Sequence, residues 1–125
     1  MAVTHPTSVR NVLCDTVVDR IDAGAAAGTL VFQTSGDAEV ATLGFSDPAF
    51  GAAVNGTATA NAISSDSSAT GGTIAKARAF DSNAVEVFAC SVTAVGGGGD
   101  IELNSVAIAN GQELTMTALT YSAPA

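Results

Sequence analysis

Asn-Gly occurs twice in this chain, at Asn55-Gly56 and Asn110-Gly111, each between short runs of β-compatible residues. A type I′ turn needs positive φ at both central residues, and Asn followed by Gly supplies it. Each pair therefore predicts a two-residue β-hairpin. The first joins residues 50–54 to 57–63, the second 105–109 to 112–121. Asn55-Gly56-Thr57 also matches a glycosylation sequon, but the turn is the reading adopted.

The rest of the chain after Gly28 follows the same rhythm. Residues 29–34 are β-branched and aromatic and predict a strand. Ser35-Gly36-Asp37 is a turn, and residues 39–45 form a second strand with Val40 or Ala41, Leu43 and Phe45 pointing inward. Asp47-Pro48 ends it, because proline lacks an amide donor and pushes the preceding residue out of helix. Ser64 to Gly72 is a polar loop. Residues 73–80 predict a strand with Ile74, Lys76, Arg78 and Phe80 on one face and Ala75, Ala77 and Ala79 on the other. After the turn Asp81-Ser82-Asn83, residues 84–92 pair back, with Val85, Val87 and Ala89 opposite Glu86, Phe88 and Cys90. Gly96 to Gly99 is a flexible connector.

Only the beginning of the chain has a helical period. Pro6 stands at a helix entry, Thr7 or Ser8 offers a cap, and Gly24 offers a stop. Val9, Val12, Leu13, Val17 and Ile21 mark one apolar face, and Asp15, Asp19 and Asp22 fall on the other side. The organisation is an arm over residues 1–7 and one domain over 8–125, with a helix over 8–23. About eight short strands behind one N-terminal helix argue for a mainly β fold, an antiparallel β-sandwich or flattened barrel.

Composition narrows the function. The 125 residues carry four cations, twelve anions and a net charge of -8. Phosphate neutralisation needs clustered Lys and Arg, so nucleic acid is a poor partner. No apolar run approaches the roughly 20 residues of a membrane helix. The start, Met1 to Pro6, has neither the basic region nor the apolar block of a signal peptide. The chain reads as made and kept in the cytosol unless an assembly carries it out. In that compartment Cys14 and Cys90 read as reduced apolar residues rather than a disulfide. Much of the apolar content is alanine, which lets sheets approach closely but yields little transfer energy per residue, at about 25 cal/mol per Å² buried.

Few side chains remain for chemistry. His5, the single histidine, lies beside Pro6 near a terminus, without the nucleophile and orienting partner a catalytic base needs. Cys14 sits mid-helix, where buried inert cysteine is the common case. Asp15, Asp19 and Asp22 have helical spacing and read as a solvated face rather than a metal site. Gly96 to Gly99 with Asp100-Ile101-Glu102-Leu103 faintly matches a calcium β-roll repeat, but in one imperfect copy with Val95 at the first glycine position. No catalytic residue, cofactor or metal is expected. Lys76 and Arg78, two residues apart, share one side of a strand. They could pair with an acidic partner surface, or guard a strand edge with charge.

The stretch from Ala41-Thr42-Leu43-Gly44-Phe45-Ser46-Asp47-Pro48-Ala49-Phe50 through Val54-Asn55-Gly56-Thr57 to Ile63, with the helix before it and Ala79-Phe80-Asp81-Ser82 after, resembles small structural proteins of tailed bacteriophages and prophages. These are regarded as head decoration or cement proteins. The likeness runs from about Val9 to Tyr121. It implies a virion part, assembled in the host cytoplasm and placed on the capsid exterior. There such proteins sit over capsomer junctions, often as homotrimers, and clamp major capsid protein subunits. No catalytic residues come with the family. The negative charge and the absence of a signal sequence agree with it. Candidate contact residues are Thr4, His5 and Pro6 of the arm, expected to order on a neighbour, together with Lys76 and Arg78. Part of the alanine is expected at subunit contacts.

Two other functions fit the same features. One is a tail- or collar-associated virion component. The other is a carbohydrate-binding or adhesive sandwich module, against which the absence of Trp and the single Tyr count.

Overall fold

A computed structural model describes residues 3–116 and 118–123. Helix α1 spans Thr7–Asp19 and tightens into a 3-10 turn at Arg20–Asp22. Among the described residues nine strands follow: β1 (Thr29–Gln33), β2 (Glu39–Gly44), β3 (Thr57–Thr59), β4 (Gly72–Thr73), β5 (Lys76–Phe80), β6 (Glu86–Ala94), β7 (Ile101–Leu103), β8 (Ala107–Ile108) and β9 (Thr120–Ser122). The fold is mainly β, 37% strand against 13% helix, in sheets that curl into a half-barrel.

The main sheet has the order β2-β1-β5-β6-β7, and β3–β9 and β4–β8 form two small sheets. The register explains how so much alanine makes a core. One inward row runs Leu43, Leu30, Ala79, Phe88, and the next runs Ala41, Phe32, Ala77, Cys90. Phe32 is flanked by alanine on both neighbouring strands and is fully buried. Small residues beside large ones let the rows interdigitate without voids. Phe45 and Phe50 add a tilted ring pair at 5.9 Å between centroids. Gly28 is needed for close approach, since a Cβ there would stand 2.2 Å from the Phe80 carbonyl oxygen and 2.6 Å from Ile21 Cγ2.

The first Asn-Gly turn is as expected. Asn55 and Gly56 have φ of 54° and 77°, and Val54 and Thr57 exchange both backbone hydrogen bonds. The second is a turn but not a hairpin. Only Gly111 has positive φ there, Gln112 N–H reaches Ala109 O at 3.1 Å, and the flanks separate. β8 leaves to pair with β4, and Leu114 bridges to Asp66. Asn110 instead donates its side-chain amide to Thr70 O, which ties the turn to the 64–72 loop.

Three further expectations are corrected. β6 and β7 pair in parallel, so the sheet is not wholly antiparallel. A register shift between Ala79 and Phe80 inserts an extra residue near Val87. Phe88 and Cys90, opposite Ala79 and Ala77, pack against the core, as does Val87, while Val85 is 53% exposed. The strand expected over 73–80 is split, and Ile74 is buried apart from the half-buried face of Lys76 and Arg78.

The helix is turned away from its expected orientation. Cys14, Val18 and Ile21 face the core, whereas Val9, Val12 and Leu13 are 40%, 63% and 38% exposed. Asp15 and Asp22, expected in solvent, are half-buried. Neither Thr7 nor Ser8 caps the helix. Pro6 is the cap residue, and its carbonyl accepts the N–H groups of Val9 and Arg10 at 3.0 Å.

Candidate functional site

The reversal of the helix has a local cause. Residues 45–56 run past α1 as mostly irregular backbone in which the amides of Ala49, Ala53 and Gly56 find no backbone acceptor, and buried amides need acceptors. The polar face of the helix provides them. Asn11 Oδ1 accepts Gly56 N–H at 2.7 Å, Asp15 Oδ1 accepts Ala53 N–H at 2.8 Å, and Asp22 Oδ1 accepts Ala49 N–H at 3.0 Å. Arg10 donates to Ala123 O at 3.3 Å, and the Cys14 thiol to Tyr121 O at 3.2 Å. With those positions committed inward, the i, i+3, i+4 stripe of Val9, Val12 and Leu13 is presented to solvent. Val3 of the arm is also exposed, at 62%.

Burial pushes the Asp22 carboxyl above its ordinary value against the Ala49 hydrogen bond, and Asp47 and Asp19 add to the rise. Asp66 goes the other way, because Thr42 N–H and Ser68 N–H hold its carboxylate below the usual range.

Thr4 and Pro6 are exposed and His5 is half-buried at the entry to the helix. Lys76 and Arg78 lie far along the chain on the outer face of β5, which is the middle strand of the main sheet and not an edge. The edge-guarding role is therefore excluded. Both cations reach Asp37 Oδ1, and Arg78 also reaches Glu86 Oε1 at 3.4 Å. They form a surface ion-pair group.

Cys14 and Cys90 are free thiols. Burial, and after it the nearby Asp100, pushes the Cys90 thiol up to about 11. Burial likewise raises that of Cys14. A thiol held protonated in this way is a poor nucleophile. The glycine connector uses its carboxylates for backbone support. Glu102 accepts Gly98 N–H at 3.0 Å, and Asp100 accepts Ser91 N–H at 3.0 Å. No group of three or more His, Cys, Asp or Glu able to hold a metal exists among the described residues, and no helix among them is long and apolar enough to cross a membrane.

A cleft of about 360 Å³ opens between the free side of β6 and β9. Phe88 and Tyr121 meet across it at 5.4 Å between ring centroids. Nothing in the sequence alone pairs these two rings, since their neighbourhood arises only when β9 joins β3. Against known protein families, characterised proteins and solved structures, the chain finds no match.

Proposed function

We propose that the chain is a non-enzymatic decoration protein that binds the outside of a viral capsid shell and adds contacts between major capsid subunits. The observation that carries this reading is the outward apolar stripe Val9, Val12 and Leu13 on a helix fixed from behind by hydrogen bonds. An apolar patch held rigidly in solvent marks an interaction surface. The resemblance of residues 41–63 to head decoration proteins supplies the class of partner. The arm with Thr4, His5 and Pro6 continues from the stripe and orders on a neighbouring subunit. Exposed alanines such as Ala25, Ala26 and Ala52 allow close approach there or between sister copies, and a homotrimer places three stripes around one axis. Individually small contacts then add up by symmetry over the shell.

Purified protein added to expanded heads lacking decoration tests this reading. Saturable binding in hundreds of copies and a raised disruption temperature are expected. Val12→Asp and deletion of residues 1–6 each reduce occupancy. Absence of binding overturns the proposal, and a few copies confined to tails favours the tail component.

A further inference from the structure

The cleft lies between the part of β6 before Val92, where β7 does not reach, and the side of β9 away from β3, and among the described residues no strand pairs with either. In an antiparallel ladder, alternate residues direct their N–H and C=O groups to opposite sides. Val92 N–H bonds to the O of Ala75, the residue just before β5, so Cys90 and Phe88 also face β5, and Ser91 and Ala89 face away. Ser91 N–H confirms the direction by reaching Asp100 Oδ2 at 3.0 Å. On the opposite wall, Ala60 N–H bonds to Leu119 O and Ala123 N–H to Gly56 O. The same alternation puts Tyr121 toward β3 and turns the backbone groups of Thr120 and Ser122 toward the cleft.

The floor between these edges is apolar, formed by Phe88, Cys90, Ile101, Leu119 and Tyr121. A second hollow of about 210 Å³ continues it past Glu102 and Met116, sharing Asp100, Ile101, Leu119 and Thr120 with the first. Asp100 and Glu102 supply the charge along this groove, and no Lys or Arg among the described residues lines either hollow.

We infer that this groove takes an extended segment of a partner protein, apolar on one side and bearing Lys or Arg on the other, as an added β-strand. The free N–H and C=O groups of Ala89, Thr120 and Ser122 give it main-chain hydrogen bonds. The floor takes its apolar side chains, and Asp100 and Glu102 face its cations. Strand addition of this kind draws affinity from the main chain and specificity from alternate pockets. It also completes a seam that leaves the barrel half-closed.

The probe is a capped peptide of about nine residues alternating valine with lysine and threonine, the length of an ordinary strand. Tyr121 is the single tyrosine and there is no Trp, so intrinsic emission reports on the groove. The expected result is a saturable change in tyrosine emission and slowed hydrogen exchange at the Ala89 and Thr120 amides. A glutamate-for-lysine peptide is expected to bind about tenfold or more weakly, and a peptide with proline at alternate positions not at all. Glu102→Gln narrows the lysine–glutamate difference, with circular dichroism confirming the fold. Unchanged emission and exchange at millimolar peptide overturn the inference, as does equal binding of the proline peptide. Protection of the same amides by raising protein concentration alone assigns the groove to a second copy and overturns it equally.

Discussion

Asp15 accepts the backbone N–H of Ala53 at 2.8 Å across 38 residues of sequence, and the contact turns the polar side of the helix inward. A half-buried carboxylate on an otherwise unpaired amide contributes about 2 kcal/mol. Asp15→Ala is expected to lower unfolding free energy by about that amount in urea titrations. Asp19→Ala, on the exposed side of the same helix, is expected to change it by less than about 0.5 kcal/mol. Equal effects would show that the helix docks through its other face.

The apolar residues give the complementary test. Ile21→Ala is expected to cost about 3 kcal/mol because it empties a fully buried site. Val12→Ala, at 63% exposure, costs less than about 0.5 kcal/mol. Thermal denaturation of the two variants side by side distinguishes the buried face from the presented one.

Asp22 and Asp66 are predicted to tilt stability in opposite directions with pH. Burial raises the Asp22 carboxyl in the folded state, so its contribution is most favourable in acid and is lost as pH rises through the raised folded value. Asp66 is lowered, so its contribution is full above the ordinary carboxylate value of about 3.9 and is lost as pH falls through the folded value. Relative to Asp22→Asn, the parent protein should lose stability between acid and neutral pH. Relative to Asp66→Asn it should gain. Guanidinium unfolding at a series of pH values reads both slopes, and slopes of the same sign would refute the assignment.

Cys90, with its thiol raised to about 11, is expected to alkylate slowly at pH 8. In urea it should approach an ordinary thiol near about 8.5 and react much faster. Iodoacetamide labelling read by peptide mass spectrometry separates Cys90 from Cys14. Comparable rates in the folded and unfolded protein would show that Cys90 is open to solvent.

Gly28→Ala is expected to cost about 3 kcal/mol, because the new methyl meets the Phe80 carbonyl oxygen of the backbone as well as the fully buried Ile21 side chain. Gly51→Ala is the control, since its nearest neighbour, Thr59 O, lies at 3.8 Å, ordinary contact distance. Calorimetric melting temperatures of the pair report the difference.

The mainly β class, the strand at residues 29–34, the inward residues of β2 and the turn at Asn55-Gly56 were legible in the sequence, because each depends on neighbours within a few residues. The fate of Asn110-Gly111 depended on β8 choosing β4 over the chain beyond the turn, which no local signal carries. The helix face was misread for a related reason. Apolar periodicity assumes that the core competes only for apolar side chains, whereas here the competing groups are the amides of Ala49, Ala53 and Gly56. Asn11, Asp15 and Asp22 are also ordinary surface residues by composition, so their loop-holding role has no sequence signature. The groove escaped notice because Phe88 and Tyr121 come from strands of different sheets.

The bonds from Cys14 to Tyr121 O and from Arg10 to Ala123 O join positions 107 and 113 residues apart. During synthesis the helix leaves the ribosome long before the strand that seats it has been made. Until β9 arrives, the Cys14 thiol and Arg10 guanidinium lack the carbonyl oxygens of Tyr121 and Ala123, although the amides of Ala49, Ala53 and Gly56 are already made. Seating of the helix thus starts on residues 49–56 and is completed only when the last strand is made, so its final contacts close late in folding.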